Sequence, residues 1–303
     1  MVSRGSRMPS PIFWKAATCA AAIVVSMPAE ALVHGAYHIL PLTPHFAKTS
    51  HTPGGGDGPV YYYGGSVFST VRVVSVIWNR DVLKNTKQQV PLLSAALVNG
   101  TYIDQMAEYS TLHQKSVNGR RSTKQVIGRG TYFGQVVLKP HNSSKQLSDD
   151  DIQSELKRQI RAGTLPARDP NTLYMVYFPD DITIDLDGLT SCQDFGAYHF
   201  ATIDSRIAKS RNVFYTVEPE CDSGMDYLTY AASHEFAEAV TDNVPTPGNA
   251  PDYPQAWNDT GGAEIGDLCP FEGTLSDGTN SWMVTQVYLN SLKGCSTGDY
   301  TSP

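Results

Sequence analysis

Residues 227–240, Tyr-Leu-Thr-Tyr-Ala-Ala-Ser-His-Glu-Phe-Ala-Glu-Ala-Val, constrain this chain most, because they form a mostly apolar stretch of helical length with three ionisable groups inside it. Leu228, Ala231, Ala232, Phe236 and Val240 surround His234, Glu235 and Glu238, so these side chains cannot all be solvated. A charge taken out of water needs a partner. The fold must cover this helix and also supply something to its charges.

Residues four apart on a helix share a face, so His234 and Glu238 can reach one metal ion, with Glu235 beside them near a bound water. Carboxylate oxygen is a legitimate zinc ligand, and a catalytic zinc takes three protein ligands and keeps its fourth position for water. Downstream, across a loop of Pro, Gly, Asn and Asp, Ala263-Glu264-Ile265-Gly266-Asp267 offers two more carboxylates. Glu264 is the candidate third ligand. Asp267 is the candidate partner for the other ring nitrogen of His234, fixing its tautomer, and Asp242 competes for that role.

Elsewhere the pattern alternates. Residues 71–78, 173–178, 199–203 and 213–217 are β-branched or aromatic runs of strand length, and 125–139 is extended structure interrupted by glycines. Residues 84–97, 101–109 and 148–162 have helical spacing, the last opening with Asp149, Asp150 and Asp151 at the N-terminal end of the dipole. Without a phosphate-binding glycine fingerprint, this predicts a mixed β-sheet with packed helices, an α/β or α+β domain. The globular domain is expected over residues 60–303, with residues 32–59 as a flexible arm rich in Pro, Gly and His. His34, His38, His45 and His51 in that arm receive no role.

At the N-terminus, Arg4, Arg7 and Lys15 precede an apolar run at 16–27 and the small-x-small site Ala29-Glu30-Ala31, so residues 1–31 are expected to be a signal peptide. No later segment is long and apolar enough to span a bilayer. The protein is expected to be secreted, extracellular or periplasmic. Beyond the leader stand Cys192, Cys221, Cys269 and Cys295, an even number with three possible connectivities. Cys192–Cys221 with Cys269–Cys295 is favoured, since each pair brackets one continuous stretch around the candidate site; the Cys-x-x-Cys spacing of a zinc knuckle is absent. A net charge of −7 argues against a nucleic-acid backbone or an anionic membrane as partner. No Gly-x-Ser-x-Gly elbow occurs to suggest a serine hydrolase. The pairs Asp180/Asp181 and Asp185/Asp187 read as solvated turns, and Asn99, Asn142 and Asn258 head sequons.

His-Glu-Phe-Ala-Glu-Ala-Val-Thr-Asp at 234–242 resembles the active-site helix of thermolysin-type metallopeptidases, which carry a histidine where Glu238 stands and complete the site with a later Glu followed by an Asp. A broader resemblance is to the plant phosphate-induced EXORDIUM family and its bacterial relatives. It runs through 64–67, 192–199, 224–238 and 256–269 and spans most of 60–297. That family is secreted and has no settled biochemical activity. The resemblances imply a zincin-like domain and a secreted zinc-dependent hydrolase, most readily a metallopeptidase acting on a peptide or protein. His234, Glu238 and Glu264 would bind the metal and Glu235 would be the general base. His199, in the stretch similar to the family's Cys-rich segment, is a second catalytic candidate that could polarise a carbonyl or stabilise an oxyanion; alternatively it is a structural histidine at a strand start. Two carboxylates on the metal make the ligand set formally neutral, leaving more of the deprotonation to Glu235 and making Mn²⁺ or Ca²⁺ more competitive with zinc. The alternative is a non-catalytic EXORDIUM-like binding or signalling protein with a structural metal or carboxylate cluster.

Overall fold

The computed structural model describes residues 32–34, 37–41, 58–204, 212–246 and 250–298. The expected signal peptide at 1–31 lies outside the described residues. Seven strands form one sheet: β1 (Leu32–His34), β2 (Tyr37–Pro41), β3 (Thr70–Ile77), β4 (Gly128–Val137), β5 (Thr172–Phe178), β6 (Phe195–Ile203) and β7 (Asn212–Pro219). Their spatial order is β1-β2-β6-β7-β5-β3-β4. The pairs at the β4 end are parallel and those at the β1 end antiparallel, so the sheet is mixed. Gly130 in β4 is required by contact, because a Cβ there would sit 2.1 Å from the Val71 carbonyl oxygen on the neighbouring strand.

The helices are α1 (Lys84–Val98), α2 (Thr101–Asp104, continued as a 3₁₀ turn over Gln105–Tyr109), α3 (Asp149–Ala162) and α4 (Gly224–Thr241). The period-two alternation of the strands divides their side chains between two cores. Leu173, Met175 and Tyr177 of β5, with Phe214 of β7, pack with α1 and α4. Tyr174, Val176 and Phe178, with Tyr215 and Val217, pack against Ile152, Leu156 and Ile160 of α3. The hairpin β8 (Glu272–Ser276) and β9 (Ser281–Thr285) also packs on α4. There Thr229 Oγ1 donates to the Met283 carbonyl at 2.7 Å and Thr285 N donates to Ser233 Oγ at 2.9 Å. Every residue from Tyr227 to Thr241 is therefore buried.

The N-terminal arm requires a correction. Residues 32–34 and 37–41 are strands, β2 pairs antiparallel with β6, and Ile39 and Leu40 are buried. Two strands of three and five residues fit inside a stretch otherwise dominated by Pro, Gly and Thr, too short to imprint a period on it. Strand β6 begins at Phe195, so His199 lies inside the strand and not at its start.

Both favoured cysteine pairs are disulfide-bonded, with Cα–Cα separations of 5.3 Å for Cys192–Cys221 and 5.6 Å for Cys269–Cys295. The first joins the approach to β6 to the residues just before α4. The second ties the segment carrying Glu264 and Asp267 to the C-terminal strand Gly294–Ser296. Among the described residues no helix is long and apolar enough to cross a membrane.

Candidate metal centre

The site assembles from three pieces of the fold: α4, the sheet face beneath it and the turn at 259–269. From α4 come His234, Glu235 and Glu238, at 2%, 0% and 1% exposure. From the sheet come His199 of β6 and, opposite it on β7, Thr216, followed two residues on by Glu218. Glu218 shares the face of Phe214, which packs toward α4, and is fully buried.

The turn is built by local hydrogen bonds. Asp259 Oδ1 accepts from the backbone N–H groups of Gly261 and Ala263 at 2.7 and 2.9 Å. Asp267 Oδ2 accepts from Glu264 N at 2.9 Å, and Ile265 is anchored in the core with its carbonyl bonded to Tyr288 N at 2.8 Å. The backbone of Asp267 then docks on α4, its N–H donating to Glu238 Oε1 at 3.1 Å. Gly266 makes this approach possible: a Cβ there would lie 2.7 Å from His234 Nδ1 and 2.9 Å from Glu238 Oε1.

His234 Nε2 lies 3.0 Å from Glu238 Oε1 and 3.5 Å from Asp267 Oδ1. Neither ring nitrogen of His234 makes a hydrogen bond of acceptable geometry, and neither does Glu238 Oε2. His199 has acceptors on both sides. Its Nε2 donates to the Asp242 carbonyl at 3.1 Å, and its Nδ1 is 3.1 Å from Glu235 Oε2 and 3.7 Å from Glu238 Oε2. Glu264 Oε2 is 3.7 Å from His199 Nε2. Asp242 is held by Asn258, whose Nδ2 donates to Oδ2 at 2.7 Å; Asn258 is fully buried, which removes its sequon from solvent.

All the residues singled out from sequence thus converge, but Glu264 and Asp267 occupy different positions from those expected. The sequence reading put Glu264 on the ion with His234 and Asp267 behind it. Among the described residues, two groups of three have ligand atoms within 4.8 Å of one another, His234–Glu238–Asp267 and His199–Glu235–Glu238, and Glu264 belongs to neither. The cause is the turn at Gly266, which brings Asp267 directly against Glu238 and leaves Glu264 facing His199. His199, with both nitrogens engaged inside the protein, faces Glu235, Glu238 and Glu264. Tyr230 flanks His234 with ring centroids 6.5 Å apart, and Trp257 is a packing residue against Tyr62 and Tyr109. Sequence reasoning missed Glu218. Its signal was present, since Phe214, Thr216 and Glu218 alternate along a strand, but an acid at the end of such a run ordinarily emerges into solvent.

The electrostatics are one-sided. Among the described residues, Glu218, Glu235, Glu238, Asp242, Glu264 and Asp267 stand with His199 and His234. Burial, reinforced by Glu238, Asp242, Asp267 and Glu235, pushes the Glu264 carboxyl well above its usual range. Burial and then Glu235 do the same to Glu218, against the opposing Thr216 hydroxyl and His234. Burial alone would lower His234, but Glu238, Asp267 and Glu235 outweigh it and raise its pKa well above the ordinary value. Such a cluster calls for positive charge, and its His and Glu side chains can hold a metal ion. No protein-family model, curated protein or solved structure matches the chain.

Proposed function

We propose that the protein is an exported, metal-dependent hydrolase of zincin-like type, acting on peptide bonds, with its ion held by His234, Glu238 and Asp267. The observation that carries this reading is His234: a buried imidazole whose two nitrogens make no hydrogen bond, placed against two carboxylates. An ion bound there supplies Lewis-acid polarisation of a carbonyl and a lowered pKa for a water. The chain's residues do the rest. Asp267 N–H holds Glu238 Oε1 in place. The Asp242 carbonyl holds His199 Nε2, which sets the ring so that Nδ1 meets Glu235 Oε2, and Glu235 is the group placed to accept a proton. One imidazole and two carboxylates neutralise a divalent charge, so zinc, manganese and calcium all suit the donor set. Export is supported by the two disulfides and by the leader-like N-terminal sequence.

The test is Glu235→Gln, with hydrolysis of a mixed peptide substrate and metal content measured together. Hydrolysis should fall by about 10²–10⁴, the usual contribution of a general base, while the ion at His234 is retained. Unchanged hydrolysis, or none in the wild type, rejects the enzyme.

A second reading, a non-catalytic EXORDIUM-like extracellular protein in which the ion is structural, is favoured by the burial of the cluster. Two surface hollows of about 450 and 460 Å³ lie against Tyr61 and Trp257 and against Tyr63 and Asp252, and neither is lined by a residue of the cluster. This reading expects metal binding to raise stability and Glu235→Gln to leave partner binding intact.

A further inference from the structure

The hollow of about 450 Å³ beside Tyr61 and Trp257 has the volume of a small-molecule site. Its walls come from stretches remote in sequence, and side chains tie them together. Asn290 Oδ1 accepts from Val60 N at 3.0 Å, and its Nδ2 donates to the Val60 carbonyl at 2.9 Å. The backbone N–H of Asn290 donates to Glu108 Oε1 at 2.7 Å, and Ser291 Oγ donates to Glu108 Oε2. On the other side Val117 N donates to the Tyr62 carbonyl at 2.8 Å, while Tyr61 and Tyr62 pair antiparallel with Trp257 and Asn258. The hollow is thus a fixed part of the fold.

Three features of the lining bear on what it can hold. Tyr61, 37% exposed, and Trp257, 5% exposed, give it aromatic surface. Trp257 Nε1 has no acceptor among the described residues, although a buried indole N–H ordinarily has one. Glu108 is fixed by two donors, which leaves part of a carboxylate's capacity of about four hydrogen bonds for a ligand. Gln114 and Lys115 are exposed and bring donors to the same hollow. Glu108 and Lys115 are the charged residues of the lining and cancel, so the hollow has no net attraction for an ion of either sign.

We propose that this hollow is a binding site for a neutral oligosaccharide, with a sugar ring against Tyr61, its hydroxyls donating to Glu108 and accepting from Gln114 and Lys115. A sugar ring has an apolar C–H face and a rim of hydroxyls, and aromatic surface beside fixed polar groups is complementary to both. An extended peptide suits the hollow less, because strand addition needs free backbone groups. The N–H and carbonyl of Val60, the Tyr62 carbonyl and the Val117 N–H are already spent on one another and on Asn290. The site is independent of the metal reading, since no residue of the His234 cluster lines it.

Calorimetric titration of the full mature chain with cellohexaose, laminarihexaose, mannohexaose and chitohexaose tests this. At least one is expected to bind with a Kd below about 1 mM. Tyr61→Ala should weaken that binding by about tenfold and Tyr61→Phe should preserve it, because the ring and not the hydroxyl carries the contact. Glu108→Gln should weaken it by about tenfold or more. Tyr253→Ala, at an exposed tyrosine outside the hollow, should leave it unchanged. Because Glu108→Gln can fail to fold, the wild type is also followed by the indole N–H signal of Trp257, which should move as sugar is added. No binding of any of the four sugars overturns the proposal, as does binding of a mixed peptide pool in their place. Sugar binding that is indifferent to Tyr61→Ala and leaves the Trp257 signal still also overturns it, by placing the sugar elsewhere.

Discussion

The two faces of the sheet treat buried acid in opposite ways. On the α3 face, Asp149 is buried beneath the first turn of its helix, and neutral donors answer it: Tyr198 Oη at 2.6 Å, Tyr215 Oη at 2.7 and 2.9 Å, and Gln153 Nε2 at 2.6 Å. On the α4 face, Glu238, Glu264, Glu218 and Asp267 stand mainly among other acids and two histidines. A carboxylate surrounded by hydroxyl donors is satisfied by the protein alone, whereas carboxylates facing one another are satisfied by protonation or by a cation. The contrast separates a structural polar group from a candidate metal site more cleanly than burial does, since both are buried.

The largest expected effect comes from releasing the turn on the α4 side. Cys269→Ser with Cys295→Ser should cost about 2–5 kcal/mol, the usual range for a native disulfide, and should also weaken metal binding, because Asp267 then loses its fixed distance from His234. Calorimetry with and without metal reads both. Loss of stability with unaltered metal affinity would show that the turn is held by Ile265 and Gly266 alone.

Removing the metal comes next. If the bound ion is present at 100 times its Kd, a chelator should lower stability by about 2.7 kcal/mol, or Tm by about 5–10 °C for a domain of this size. The pH dependence should then invert. Glu264 and Glu218 ionise in the unfolded chain near the ordinary value of 4.5 but at higher pH in the folded chain, so the native state holds the extra protons and metal-free stability falls as pH rises through the folded pKa. His234, raised above its ordinary 6.5, acts in the same direction at higher pH. The loaded protein should instead gain stability over that range, because its ligands bind deprotonated. Parallel Tm curves for the two forms from pH 5 to 8 would erase the distinction between the faces.

A smaller effect is expected on the α3 face. Tyr215→Phe removes one donor from Asp149 and should cost about 1–3 kcal/mol, equally with and without chelator, because Asp149 lies on the opposite face of the sheet from the cluster. Dependence of that cost on metal would couple the faces. Smallest is Ser148→Ala. Ser148 and Asp151 form a capping box, with Asp151 N donating to Ser148 Oγ at 3.2 Å and Ser148 N to Asp151 Oδ2 at 3.0 Å, so its loss should cost about 1 kcal/mol in urea unfolding, without change in metal content.

The two faces were also unequally legible from sequence. The spacing of Ile152, Leu156 and Ile160, the Ser148 cap and Gly163 in the left-handed region after the last turn are local signals, and α3 falls where they put it. The core strands were legible for the same reason, since alternation over five to eight residues carries its own face assignment. The arm was not legible, because β2 gains stability through β6 and α4, partners more than 150 residues away, and little in its own composition advertises it. At the metal centre the pairing of His234 with Glu238 follows from helix geometry alone.

What the sequence by itself determined, then, is the buried helix with His234, Glu235 and Glu238 on it, the need of those charges for a partner, and four cysteines flanking it whose favoured pairing is the one found. The tertiary structure alone decided which acid stands beside His234. Asp267 is 33 residues on from His234, and no local periodicity relates the two; the choice between Asp267 and Glu264 is made by the Asp259 turn, by Ile265 seated in the core and by the missing side chain of Gly266, which lets the backbone reach Glu238. His199 and Glu218 enter for the same reason, because they belong to strands that become neighbours of α4 only when the sheet forms beneath it. Spacing along the chain encodes contacts within one helix or strand, whereas a centre drawn from a helix, two strands and a turn exists only where packing brings their side chains to one point.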